Sequence, residues 1–194
     1  YYFSDSIIIG VVYSKKKARQ EGELQYNGRM TECAKYSFWY TLQSIAGMQG
    51  EMLRCDTPLM YRGCVATGDL VVDKSSFLGP AIDEASECHA CADGGMVWLA
   101  PSSIRCIKLF QDTPTALEGL VVKWNVPLKL GSKFSTMVVN PFEICQSEAE
   151  MNSFMASAMG TFSGDSLAVE VKRQHTECML RRAFSETKLP DQDK

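Results

Sequence analysis

The stretch LMYRGCVATGDLVV, residues 59–72, decides the fold, because it can only be a sheet segment broken into short pieces. Val65, Val71 and Val72 favour extended backbone, while Gly63 and Gly68 interrupt the run. The pair Gly68 and Asp69 marks a turn between two strands. Upstream, from about Thr31 to Arg54, the apolar residues Ala34, Phe38, Leu42, Ile45 and Met48 recur at helical spacing, with Trp39 widening the stripe. That periodicity predicts a core helix whose end is blurred by Gly47 and Gly50, and Pro58 keeps it from running into the strand. Downstream, Gly79 and Pro80 signal a helix start, since proline tolerates the first helical position, and this helix is expected to reach about Ala92.

The rest of the chain extends the alternation. GGMVWLAP, residues 94–101, reads as a short buried strand bounded by glycine and proline, and EGLVVKWNVPL (118–128) and FSTMVVNPF (134–142) read as two more strand-bearing segments. Residues 147–160 and 165–186 read as helices; in the second, Leu167, Val171, His175, Cys178 and Met179 share a face, with Lys172, Arg173, Arg181 and Arg182 outside it. At the front, YYFSDSIIIG (1–10) predicts a tight hairpin of two short strands around Ser4, Asp5 and Ser6. SKKKARQEGE (14–23) is polar and unpatterned, as a surface loop is. The expected architecture is an α+β sandwich, a mainly antiparallel sheet with helices covering one face, followed by C-terminal strands and helices. A boundary near residue 110 divides a core (1–110) from an extension packed on it (111–194).

At 194 residues and 45% hydrophobic content, the chain suits one domain or one domain with a small appendage. A net charge of −3 supplies no basic field for nucleic acid or an anionic membrane, so a phosphate ligand would need local groups or a metal. Of the eight cysteines, Cys33, Cys64, Cys106 and Cys178 fall within apolar or amphipathic segments, as reduced thiols do, which points to a cytoplasmic location. No run approaches the roughly 20 apolar residues of a membrane span. Tyr1 opens inside an expected strand, so residues are expected upstream of it.

FSDSIII (3–9), then YRGCVATGD (61–69) and FLGPAIDEASE (77–87), in that order, resemble the class III nucleotidyl cyclase domain. Within that class the chain looks most like the bacterial pyrimidine cyclases of Pycsar anti-phage defence, which carry a hairpin acid, a strand of the type RGGIxxG and a helix opening GPALxxAxxLE. Order and approximate spacing match over residues 1–100; VVNPFE (138–143) and the segment VKRQHTECML (171–180) match more weakly. The resemblance implies a cyclase-like, ferredoxin-like sandwich that converts UTP or CTP to a 3′,5′-cyclic nucleotide and pyrophosphate. It also implies a homodimer, with metal acids from one subunit and helix residues from the other, and a separate effector that reads the cyclic nucleotide. The alternatives are an adenylate or guanylate cyclase, or a catalytically inactive nucleotide-binding domain.

The site residues follow from this alignment. Asp5 by itself is a turn residue; by resemblance it is the second of two acids that hold a pair of Mg²⁺ or Mn²⁺ ions, which neutralise the triphosphate and activate the ribose 3′-hydroxyl. Carboxylate oxygen suits such hard cations. The first acid is expected in a strand before Tyr1. Tyr1 stands four residues before Asp5, where purine cyclases of the class carry a base-selecting lysine, and is either a pyrimidine selector or an ordinary strand tyrosine. Arg62, a charge inside an apolar strand, needs a partner: a base carbonyl or phosphate, with a catalytic role, or an internal salt bridge. Asp83 and, four residues on, Glu87 align with the family's asparagine and transition-state arginine, and Asp83 is assigned to substrate binding. Cys88 and Cys91 have CxxC spacing but no second pair follows, so packing is favoured over zinc. His175 reads as a packed, hydrogen-bonded histidine, and GMQGE (47–51) lacks the lysine of a phosphate loop.

Overall fold

The structure, a computed structural model, describes residues 2–3, 6–7, 32–73 and 76–189. Its centre is a four-stranded mixed sheet in the order β3, β6, β8, β7. Strand β3 (Gly63–Val65) runs parallel to β6 (Val97–Leu99), with Cys64 beside Trp98. Strand β8 (Lys133–Val139) lies antiparallel to β6, through Trp98 and Val138, and to β7 (Val121–Pro127) along the full length of both. Two small antiparallel pairs stand apart from this sheet: β1 (Tyr2–Phe3) with β2 (Ser6–Ile7), and β4 (Val71–Asp73) with β5 (Ser76–Leu78). Among the described residues there are five α-helices: α1 (Glu32–Arg54), α2 (Pro80–Cys91), α3 (Pro101–Ile107), α4 (Glu148–Gly160) and α5 (Leu167–Glu186).

Consecutive strand residues feed opposite cores, as the two-residue period of a strand requires. Trp98, Val122, Val126 and Val138 pack with Met151 and Phe154 of α4 and with Met179, Leu180 and Ala183 of α5. Val65, Val97, Leu99, Val121 and Val139 pack with Phe38, Leu42 and Ala46 of α1 and Cys106 of α3. Helices therefore cover both faces of the sheet, where the sequence pattern led us to expect one. The reason is visible in β6, whose three residues are all buried, a pattern that belongs to strands covered on two sides. The sheet is mixed because α2 connects β3 to β6, and a helical crossover returns the chain parallel. Strands β7 and β8, both beyond residue 110, share their sheet with β6 and their cores with α1, so sheet and core run across the boundary expected there.

The helices at 32–54, 80–91, 148–160 and 167–186 fall where periodicity places them, but two of their buried faces are turned from the expected ones. In α1 the buried set is Phe38, Leu42, Ala46, Gln49 and Leu53, with Ile45 and Met48 at its margin. The helix runs on through Gly50, where a side chain would collide with Ile144 and Phe154 and only glycine permits the approach. In α5 the buried stripe is Thr176, Met179, Leu180 and Ala183, whereas Leu167 and Cys178 are exposed. Thr176 can sit in that stripe because its hydroxyl donates to the Lys172 carbonyl and accepts the Gly95 N–H, both at 2.7 Å. Strands flank Gly68 and Asp69 as expected, but they belong to different sheets, since β4 pairs with β5 rather than with β3.

Candidate functional site

Two of the three segments that carry the resemblance, residues 61–69 and 77–87, lie along the β3–α2–β6 crossover. Helix α2 opens at Gly79, whose φ of 141° lies in the region open to glycine. A Cβ there would stand 2.5 Å from the Asp69 carbonyl oxygen, so the start of the helix is pressed onto the loop that leaves β3. Pro80 takes the first helical position, and the Gly79 carbonyl accepts the Ile82 and Asp83 N–H groups at 2.9 and 3.2 Å. We expect Gly79→Ala to lower stability by about 2 kcal/mol through backbone strain and this collision. A urea midpoint within error of the wild type would remove the argument for glycine here.

Asp83 in the first turn and Glu87 one turn on are both exposed, on the same side of α2. Glu84 points the other way: its carboxylate accepts the Ser102 N–H at 3.1 Å, at the start of α3. The Ser102 hydroxyl in turn accepts the Thr67 N–H at 2.9 Å, and the Thr67 hydroxyl lies 3.4 Å from the Cys106 sulfur. These contacts join the carboxyl ends of the two parallel strands, the edge at which open α/β sheets form ligand crevices.

Arg62 is half-buried just before β3, and its Nη1 donates to the Ala92 carbonyl at 3.4 Å. Ala92 caps the C-terminal end of α2, so the guanidinium sits at the negative end of the helix dipole. The partner is thus a backbone carbonyl. Asp83 lies nine residues earlier on the same helix, about 13 Å along its axis. Within one chain Arg62 and Asp83 are at opposite ends of α2 and form no common site. The turn after Ala92 is held further by His175, whose Nδ1 lies 2.9 Å from the Asp93 carbonyl oxygen and 3.4 Å from its carboxylate. His175 is half-buried and hydrogen-bonded, as its place on α5 implied.

Tyr1 and Asp5 lie outside the described residues. The strands on either side of Asp5 pair as a hairpin requires, Tyr2 with Ile7 and Phe3 with Ser6. Among the described residues, no group of three or more histidine, cysteine, aspartate or glutamate side chains is placed to hold a metal ion. A cavity of about 430 Å³ opens between Glu118 and Gly119 on one side and Ser185 to Lys188 on the other, with Glu118 and Lys188 ion-paired across it. Next to Gly119, burial raises the Glu143 carboxyl above its ordinary pKa. Neither residue type nor spacing pointed to this cavity, which the chain forms by bringing the end of α5 beside the start of β7.

No family model matches the chain, and no match is found among curated proteins or solved structures. Among the described residues no helix is long and apolar enough to cross a membrane.

Proposed function

We propose that the chain is the core of a class III nucleotidyl cyclase that turns UTP or CTP into a 3′,5′-cyclic nucleotide and pyrophosphate as a second messenger in anti-phage defence. The observation that carries this reading is the ordered set FSDSIII, YRGCVATGD and FLGPAIDEASE in the sequence. Two features of the fold support it. Paired strands flank Asp5, and α2 starts at Gly79 with Asp83 and Glu87 exposed, open to a second subunit rather than to their own core. In the proposed homodimer, Asp5 of one subunit, with a further acid outside the described residues, would hold Mg²⁺ or Mn²⁺, and Asp83 of the other would contact the nucleotide. The ions, when bound, would neutralise the triphosphate and lower the pKa of the ribose 3′-hydroxyl. Tyr1 would fill the space beside a pyrimidine ring, its hydroxyl able to donate or accept a hydrogen bond.

The contact between Arg62 and the Ala92 carbonyl favours a second reading, in which the domain binds a nucleotide without turning it over, because it leaves Arg62 in a capping role. Incubating the natural full-length protein with each of the four nucleoside triphosphates and Mn²⁺, and identifying products by mass spectrometry, separates the readings. We expect cyclic UMP or cyclic CMP. Turnover of ATP or GTP alone would overturn the pyrimidine assignment, and nucleotide binding without any cyclic product would overturn the cyclase.

A further inference from the structure

The cavity between the start of β7 and the end of α5 has no part in the cyclase reading, and its lining carries chemistry of its own. Its volume of about 430 Å³ lies within the range of small-molecule pockets. The apolar part of the lining comes from Val121 and Val122, at the start of the edge strand β7. Glu118 and Lys188 pair across the opening, with side chains 49% and 78% exposed. Ion pairs so exposed hold weakly, so a ligand can open this one at small cost.

The other polar groups around the cavity are already engaged or act in one direction. Glu186 is ion-paired to Arg182, one turn back on α5. The Thr187 hydroxyl donates to the Ala183 carbonyl and accepts from Asn140 Nδ2. The Thr187 N–H reaches the Ala183 and Phe184 carbonyls, and among the described residues no group donates to the carbonyls of Ser185 and Glu186. These stand at the end of a 20-residue helix, the negative end of its dipole. The cavity thus offers an anionic side, Glu118 with the carbonyl end of α5, and a cation, Lys188, beside an aliphatic surface.

We propose that this cavity binds a free α-amino acid with an aliphatic side chain. The ligand ammonium donates to the Glu118 carboxylate at the carbonyl end of α5, the ligand carboxylate replaces Glu118 as the partner of Lys188, and the side chain lies against Val121 and Val122. The ligand inserts its two charges into the existing pair, so every charge keeps a partner of opposite sign. A plain amine or a plain carboxylate replaces only half of the pair and leaves the other side chain unpartnered, which selects a zwitterion. Bound there, the amino acid bridges the loop before β7 and the end of α5, the two segments that Asn140 Nδ2 also joins, so binding stabilises the fold.

The whole chain, without nucleotide, is titrated with L-leucine by calorimetry and melted in its presence. We expect a Kd of about 0.1–1 mM for so small a ligand, and at about ten times the Kd a melting temperature raised by about 3–6 °C. Isoamylamine has the leucine skeleton without the carboxylate, isocaproate has it without the ammonium, and glycine keeps both charges without the side chain. Each should bind about tenfold more weakly than leucine, or worse. Lys188→Met should weaken leucine about tenfold while isoamylamine binds at least as well as before, and Glu118→Gln should weaken leucine while isocaproate is unaffected. No binding at about 10 mM leucine, equal binding by leucine and any of the three analogues, or an unchanged leucine affinity in either variant would each overturn the proposal. Because the titration contains no nucleotide, its result is independent of whether the domain makes cyclic nucleotides.

Discussion

Asp5→Ala is expected to cut cyclic-nucleotide production by roughly 10²- to 10³-fold while leaving the fold in place. The size follows from the role. A carboxylate that holds a catalytic divalent ion contributes several kcal/mol of charge stabilisation in the transition state, and each 1.4 kcal/mol is about tenfold in rate. The fold should survive because Asp5 falls in sequence between two short paired strands, where a polar turn residue is exchanged at little cost. A turn substitution of this kind usually shifts stability by less than about 0.5 kcal/mol.

The measurement is initial rate against Mn²⁺ concentration for wild type and Asp5→Ala, using whichever triphosphate the full-length protein accepts, with thermal melting as the check on folding. If the lost group is a metal ligand, the deficit falls on kcat and on the metal dependence together, and excess Mn²⁺ recovers only part of it. Full activity in Asp5→Ala, with an unchanged melting temperature, would leave Asp5 as the turn residue that its local sequence already justifies. The metal assignment would then be wrong, even if the domain proved to be a cyclase.

What could be read in the sequence divides along a physical line. The start of α2 was legible because Gly79 and Pro80 are local signals: one residue supplies an unusual φ and the next supplies no N–H. Strand β6 was legible because five apolar residues, Met96 to Ala100, stand between glycine and proline. The buried faces of α1 and α5 were misjudged because Gln49 and Thr176 are polar, and hydrophobic periodicity gives no weight to a polar residue in a core stripe. Thr176 can be there only because Gly95, distant in sequence, donates to it. The parallel pairing of β3 with β6 was hidden for a related reason, since pairing partners are a property of the sheet and not of either segment. Helix α3 leaves no clear mark in the sequence because a proline after an extended residue ends a strand as readily as it starts a helix, and Pro101 does both.

The candidate site shows the same division. Chain order alone brings out Asp5, Asp83 and Glu87 once the resemblance is noticed. The partner of Arg62 could not be foreseen, because a carbonyl thirty residues away leaves no mark in side-chain chemistry. In the proposed homodimer the exposed pair on α2 and the hairpin acid would come from different copies of the chain, so the reading is testable first by turnover and only then by geometry.

Asn140→Ala is expected to be the most damaging single substitution to stability outside the apolar core, at about 3–4 kcal/mol. Asn140 is fully buried at the end of β8, where it caps the 3₁₀ turn Pro141–Ile144. Its side-chain oxygen accepts the Phe142 N–H at 3.0 Å. Its Nδ2 donates to the Gly119 carbonyl at 2.6 Å and to the Thr187 hydroxyl at 2.9 Å. One amide thus ties together the loop before β7, the turn after β8 and the end of α5. Alanine would leave the buried Phe142 N–H without its partner and strip the Gly119 carbonyl of the Asn140 donor, and a buried polar group left unsatisfied costs about 1–3 kcal/mol. Ser147→Ala provides the scale: there a hydroxyl accepts the Glu150 N–H at 3.2 Å at the exposed start of α4, and losing such a cap costs about 1 kcal/mol. Urea unfolding of both variants beside the wild type tests the comparison, with the slope against denaturant checked for constancy. Equal losses in the two variants would mean that Asn140 is one more helix cap, and that the three segments are held together by their apolar contacts alone.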